Sequence, residues 1–182
     1  LYADSLVGWR DNPLVMITVM ALIVLGGIGH PVAVDVGRAI AGRILRRPGP
    51  APRLQLGSTV ALITSTALGV AGAGLLLLCG LGPDEAGAGP LALDALFQSV
   101  TARTAGFNSV AIGSLPAASL LVIAFLMFVG GSPGSCAGGV KTTTFALWCG
   151  KLAGFLRGDK GTRLMGKYIP GETSRRASLL VG

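Results

Sequence analysis

Residues 91–108 read LALDALFQSVTARTAGFN. Residues 91–102 are mostly apolar, but as a helix they would extend only ~18 Å at ~1.5 Å per residue, little more than half of a ~30 Å hydrocarbon core. A segment that short either turns back inside the membrane or lies on its surface. The residues behind it, Thr104-Ala105-Gly106-Phe107-Asn108, form a polar turn centred on a glycine, and a second apolar run fills 115–129. A short helix, a polar glycine turn and a return is the pattern of a re-entrant pore hairpin, whose backbone polar groups face water or an ion rather than lipid. The stretch reads as one quarter of an ion filter.

Composition agrees with a membrane setting. Hydrophobic residues make up 51% of the chain and charged residues only 13%, against roughly 25% charged in soluble domains, and the mean hydropathy is +0.69. Lipid is therefore the expected solvent. The 29 glycines are scattered through apolar runs, which suggests close helix contacts, broken helices or backbone turned towards a ligand. The net charge of +7 collects in short loops with no aromatic residues interleaved, so nucleic acid is not the expected partner. Cys79, Cys136 and Cys149 show no CxxC spacing and are expected as free thiols, and His30 as the only histidine excludes a multi-histidine metal centre within this chain.

Working outward, residues 13–36 begin at a proline suited to a helix start and give ~36 Å of helix at ~1.5 Å per residue, enough to span, with Pro31 bending or ending it early. Arg38, Arg43, Arg46, Arg47 and Arg53 then form a basic loop without acids, cytoplasmic by the positive-inside rule. Residues 54–81 return without a charge, and 82–90 carry Asp84 and Glu85 in a short outside loop. After 115–129, a segment of glycines, serines and a proline at 130–139 is incompatible with regular helix. Helical character resumes at 140–155, followed by Arg157, Lys160, Arg163 and Lys167. Two topologies fit 115–155: two short passes joined by an inside turn, or one long crossing interrupted near its middle. The positive-inside rule favours the single interrupted crossing, and an irregular segment at that depth must lie against protein or a water-filled cavity. Residues 19–29 also align with 122–134, a faint repeat of apolar run and glycine cluster. No basic leader or cleavage site precedes the first apolar run, and a new one starts at 177, so the chain reads as an internal piece of a longer membrane protein.

TARTAGFN at 101–108 and GGSPGSCAGGVKTTT at 130–144 resemble the Trk/Ktr/HKT superfamily of potassium transporters, in the third of the four pore repeats of a TrkH or KtrB type subunit. The resemblance covers nearly the whole chain. It implies an all-α membrane protein with three divisions. Residues 1–53 would be the end of the preceding repeat, with a helix at 13–36. Residues 54–157 would be the pore repeat: helix 54–81, pore helix 91–102, filter 104–108, and a broken helix 115–157 with an intramembrane loop at 130–139. Residues 158–182 would be a cytoplasmic loop and the start of the next repeat. His30 stands where the family pattern suggests phenylalanine, and Cys136 where threonine is common; neither belongs to the filter.

A potassium ion crosses only if oxygens replace its hydration shell, as backbone carbonyls facing an axis can. The filter residues are Thr104, Ala105, Gly106, Phe107 and Asn108, with the carbonyls of Thr104, Ala105 and Gly106 as the potassium ligands. Gly106 supplies a backbone angle that other residues resist, Phe107 is expected to pack behind the loop, and the C-terminal end of the preceding helix favours a cation. Asn108 replaces the second glycine of a potassium-channel filter, which implies looser upper sites. The alternative is an interfacial helix ending in a glycine cap. Arg103 either braces the hairpin against an acid of a neighbouring repeat or snorkels to the outer surface; Asp94 is expected as a helix cap.

Residues 134–142 nearly match the phosphate-binding pattern GxxxxGK[ST], but Val140 intrudes before Lys141 and a lipid-compatible run stands where a buried strand is required. The preferred reading is a gate below the filter, made of Gly130, Gly131, Ser132, Pro133, Gly134, Ser135, Cys136, Ala137, Gly138, Gly139 and Lys141. Lys141 opens a half-helix, where its charge opposes the dipole, so it is expected to be held by loop carbonyls or by an acid of another repeat. The function expected is potassium uptake across a bacterial-type inner membrane, with no bond-making chemistry and no covalently bound cofactor, K+ being the transported ion. The resemblance implies membrane lipid, a second copy of the parent subunit and a cytoplasmic nucleotide-binding regulatory subunit as partners. The rivals are a membrane-bound nucleotide-dependent enzyme and a non-transporting assembly of tightly packed helices.

Overall fold

A computed structural model describes residues 5–44, 54–81, 88–103, 105–157, 163–164 and 167–168. Thr104, the basic residues Arg46, Arg47, Arg53 and Lys160, the acids Asp84 and Glu85, and the apolar run that starts at 177 lie outside the described residues.

Six helices account for nearly all of it: α1 Pro13–Ile28, α2 His30–Ile44, α3 Leu56–Cys79, α4 Ala88–Thr101, α5 Ala117–Phe128 and α6 Thr142–Leu156. A two-residue antiparallel pair, β1 Arg163–Leu164 with β2 Lys167–Tyr168, follows. The fold is all-α and of membrane type, with that pair as a minor addition.

α3 is the hub, and α2, α4, α5 and α6 all pack on it. It alone among the described helices is both long and apolar enough to span a bilayer by itself. Its contacts depend on small residues, as expected where lipid removes the hydrophobic drive for helix association. Ser99 of α4 donates its hydroxyl to the Gly69 carbonyl at 2.8 Å, and Ser119 of α5 donates to the Gly80 carbonyl at 2.5 Å. The core gathers Ala73, Leu76, Ala95, Ile123 and Leu126 between α3, α4 and α5.

The expected span at 13–36 is corrected. α1 ends at Ile28, and α2 leaves it at 103° and continues to Ile44. The break falls at Gly29 with φ +78°, a conformation open to glycine and costly for other residues. Pro31, expected to bend or end the helix early, lies two residues beyond the break in the first turn of α2, and the Gly27 carbonyl, to which it has no N–H to donate, accepts the Ser132 amide instead. Arg38 and Arg43 thus belong to a helix rather than a loop. Asp35 on α2 ties that helix to the start of α3, accepting from the Ser58 hydroxyl at 2.6 Å and the Gln55 amide at 3.3 Å.

Candidate functional site: filter turn and glycine-rich loop

Residue Thr101, the last of α4, governs the turn that follows. Its carbonyl accepts the amides of Ala105 at 3.0 Å and Gly106 at 3.2 Å, and its hydroxyl oxygen accepts the Phe107 amide at 2.9 Å. The next amide, that of Asn108, donates to the Ser5 hydroxyl at 3.0 Å. Four consecutive N–H groups are thereby directed into the protein. The carbonyls of Ala105, Gly106 and Phe107 accept no hydrogen bond among the described residues. Gly106 has φ +78° and open space where a side chain would begin. Phe107, expected behind the loop, is instead 45% exposed. Thr101 was not singled out by sequence reading; a hydroxyl residue at the helix end five positions before Gly106 was the available signal.

One further sequence reading changes. Asp94 is not a helix cap: it lies within α4, is 1% exposed, and pairs with Arg10 at 2.5 Å (Nε to Oδ2). Arg103 is half-buried, its guanidinium turned inward to within 3.8 Å of the position a Gly69 Cβ would take. It borders a cavity of about 280 Å³ between α1, α3, α4 and the glycine-rich loop, whose other walls include Gly27, Val100, Gly131 and Ser132. Residues beside the 105–108 turn and in the glycine-rich loop therefore face one mostly apolar space.

The loop at 130–139 leaves and rejoins the helical path at nearly the same place. Gly130 donates to Val140 at 3.0 Å, Val140 to Phe128 at 3.1 Å, and Thr142 to Gly131 at 3.2 Å. Val129 and Val140 pair in parallel, so the chain resumes in the direction in which it left α5. A Cβ at Gly130 would fall on the Gly138 carbonyl, which explains the glycine. The loop also seats on the α1–α2 break: Ser132 donates to the Gly27 carbonyl at 3.0 Å and His30 to the Gly134 carbonyl at 3.3 Å. The two faintly repeated glycine clusters at 19–29 and 122–134 thus meet. Lys141 is held by a loop carbonyl, its Nζ donating to Ala137 at 2.6 Å. That lysine folds onto its own loop, and the segment before the loop is helix rather than strand, so neither requirement of a phosphate-binding loop is met.

Residues 84–180 match the family model of TrkH, described as a cation transport protein. The chain belongs to the TrkH family. It is 34% identical to the Ktr system potassium uptake protein D of Bacillus subtilis over 91% of its own length and 36% of that protein's. With the Ktr system potassium uptake protein B of Vibrio alginolyticus the identity is 35%, covering 88% of this chain and 34% of the relative. The potassium/sodium uptake protein NtpJ of Enterococcus hirae is 31% identical over 93% and 36% of the two lengths. The crystal structure of the potassium transporter TrkH from Vibrio parahaemolyticus superposes with a TM-score of 0.67 at 17% identity, over 97% of this chain and 37% of that one, a likeness of fold. The chain thus spans about a third of the length of these TrkH-family relatives, and the family is one of membrane transport proteins, not of enzymes.

Proposed function

We propose that this chain is one filter-bearing repeat, with its flanks, of a potassium uptake protein whose pore is completed by other hairpins of the same transporter. The observation that carries the reading is the hydrogen bonding of the 105–108 backbone: four consecutive amides donate to Thr101 and Ser5, while the carbonyls of Ala105, Gly106 and Phe107 accept no hydrogen bond among the described residues. A cation that has shed water needs that arrangement, since carbonyl oxygens must present their lone pairs while the opposing N–H dipoles are held away. The C-terminal end of α4 adds partial negative charge beside the same turn. Potassium rather than another cation is inferred from the names of the TrkH-family relatives.

Residues 130–139 with Lys141 form the gate in this proposal. The loop interrupts one crossing built from α5 and α6, and the Lys141 ammonium, held on Ala137, places a positive charge beside the path. The complete transporter would lie in the inner membrane, pair with a second copy and take a cytoplasmic nucleotide-binding regulator on its basic side.

The test is ion uptake by the complete transporter in proteoliposomes. Gly106→Ser should reduce the preference for potassium over sodium by tenfold or more, because a side chain at φ +78° displaces the carbonyls on either side. An unchanged preference would overturn the filter assignment.

A further inference from the structure

We infer that Arg10 and Asp94, together with Ser5 and Asn108, form a brace that sets the position of the filter turn, so that these residues determine ion selectivity without touching the ion. The inference rests on the filter reading above and assigns it supporting residues.

The geometry is reciprocal. From one side, Ser5 receives the Asn108 amide at 3.0 Å, and from the other the Leu6 amide donates to the Asn108 carbonyl at 3.0 Å. Ser5 takes φ +54°, the one positive value among described non-glycine residues, and such a value persists only where the surroundings over-determine it. A turn of chain further on, Arg10 reaches the Asp94 carboxylate, which is 2% exposed on its side chain and lies on the helix that carries the filter. The segment 5–10 is therefore fastened both to the end of the filter turn and to the middle of its helix.

That segment precedes α1. A two-point clamp between it and the α4 hairpin fixes the hairpin's height and tilt. Filter oxygens discriminate between ions by a few tenths of an ångström in radius, so a clamp at this place acts on selectivity through geometry. Asp94 itself is too deeply covered, and too well matched to Arg10, to serve as an ion ligand.

The experiment measures potassium and sodium uptake by the complete transporter reconstituted at matched protein amounts. Asp94→Asn and Arg10→Gln should each lower the potassium-to-sodium ratio at least threefold, and the double variant should lower it no further than the worse single one. Asp94→Glu should recover part of the ratio, and Ser5→Ala, which leaves the ion pair intact, should lower it less than Asp94→Asn. A purely structural pair would reduce both fluxes in proportion and leave the ratio unchanged; that result, in protein that still transports, overturns the brace. Gly106→Ser separates the two claims. If it shifts the ratio while the Arg10 and Asp94 variants do not, only the brace fails; if it does not, the filter reading fails first.

Discussion

At Gly72 three helices come within van der Waals contact. A Cβ there would lie 2.5 Å from the Ser99 hydroxyl oxygen of α4 and 2.8 Å from Leu126 Cδ1 of α5. Neither neighbour is free to retreat, since Ser99 is held by the Gly69 carbonyl and Leu126 is 2% exposed. Gly72→Ala should therefore destabilise the purified protein by roughly 1–3 kcal/mol, the usual cost of overpacking a filled core, and a lowered thermal midpoint in detergent would register it. Asp94 presents the opposite case, a charge whose value depends on its partner. Removing Arg10, whose side chain is 30% exposed, leaves the buried Asp94 carboxylate uncompensated, so Arg10→Gln should lower the same midpoint more than Arg10→Lys. This pairing was illegible in the sequence because its members are 84 positions apart, and no local pattern marks a contact of that reach. Gly106 was legible, because a short apolar helix followed by a polar glycine turn constrains its own neighbours.

Among the elements, helix periodicity and length were readable for α3 and α4, whose predicted ranges of 54–81 and 91–102 differ only at their ends from Leu56–Cys79 and Ala88–Thr101. A bend or early end near Pro31 was readable for the 13–36 helix, but the 103° angle and the continuation to Ile44 were not, because hydropathy is blind to the direction in which an apolar chain continues. What fixes the break is a tertiary contact: at Gly29 a Cβ would lie 2.6 Å from the Pro133 carbonyl and 3.1 Å from the Ser135 amide. The glycine-rich loop and the bend are thus two halves of one joint. Gly29→Ala should lift the loop from its seat by adding a clash to a left-handed backbone angle that alone costs roughly 1–2 kcal/mol. In the complete transporter the proposed gate would then leak, raising potassium flux in the absence of any activator. Deleting residues 134–136 should raise it further, since the His30 amide loses the Gly134 carbonyl. Equal flux from all three proteins would show that the joint has no part in gating.

Across the whole molecule, large apolar side chains face outward on several helices, with Leu14 and Leu25 on α1, Leu78 on α3, Leu121 on α5 and Phe155 on α6 each more than half exposed. A surface of that kind is covered by lipid or by further helices, as befits a chain spanning about a third of its relatives' length. Its orientation follows from charge and direction together. In the proposed topology Arg38 and Arg43 on α2 and Arg157 after α6 mark the inside, and α5 and α6 make one crossing. The parallel pairing of Val129 with Val140 supports that proposal, since a hairpin of two passes would bring its strands together antiparallel. Single cysteines placed at Arg43, Ser114 and Arg157, all exposed positions, in a transporter freed of Cys79, Cys136 and Cys149, test it. A membrane-impermeant thiol reagent applied to intact cells should label Ser114→Cys and spare the other two, and inverted vesicles should give the reverse pattern. Labelling of Arg157→Cys from outside would instead mean two passes with the loop at an inside turn, and the glycine-rich segment would then lie at the membrane's edge, where it has no ion path to close.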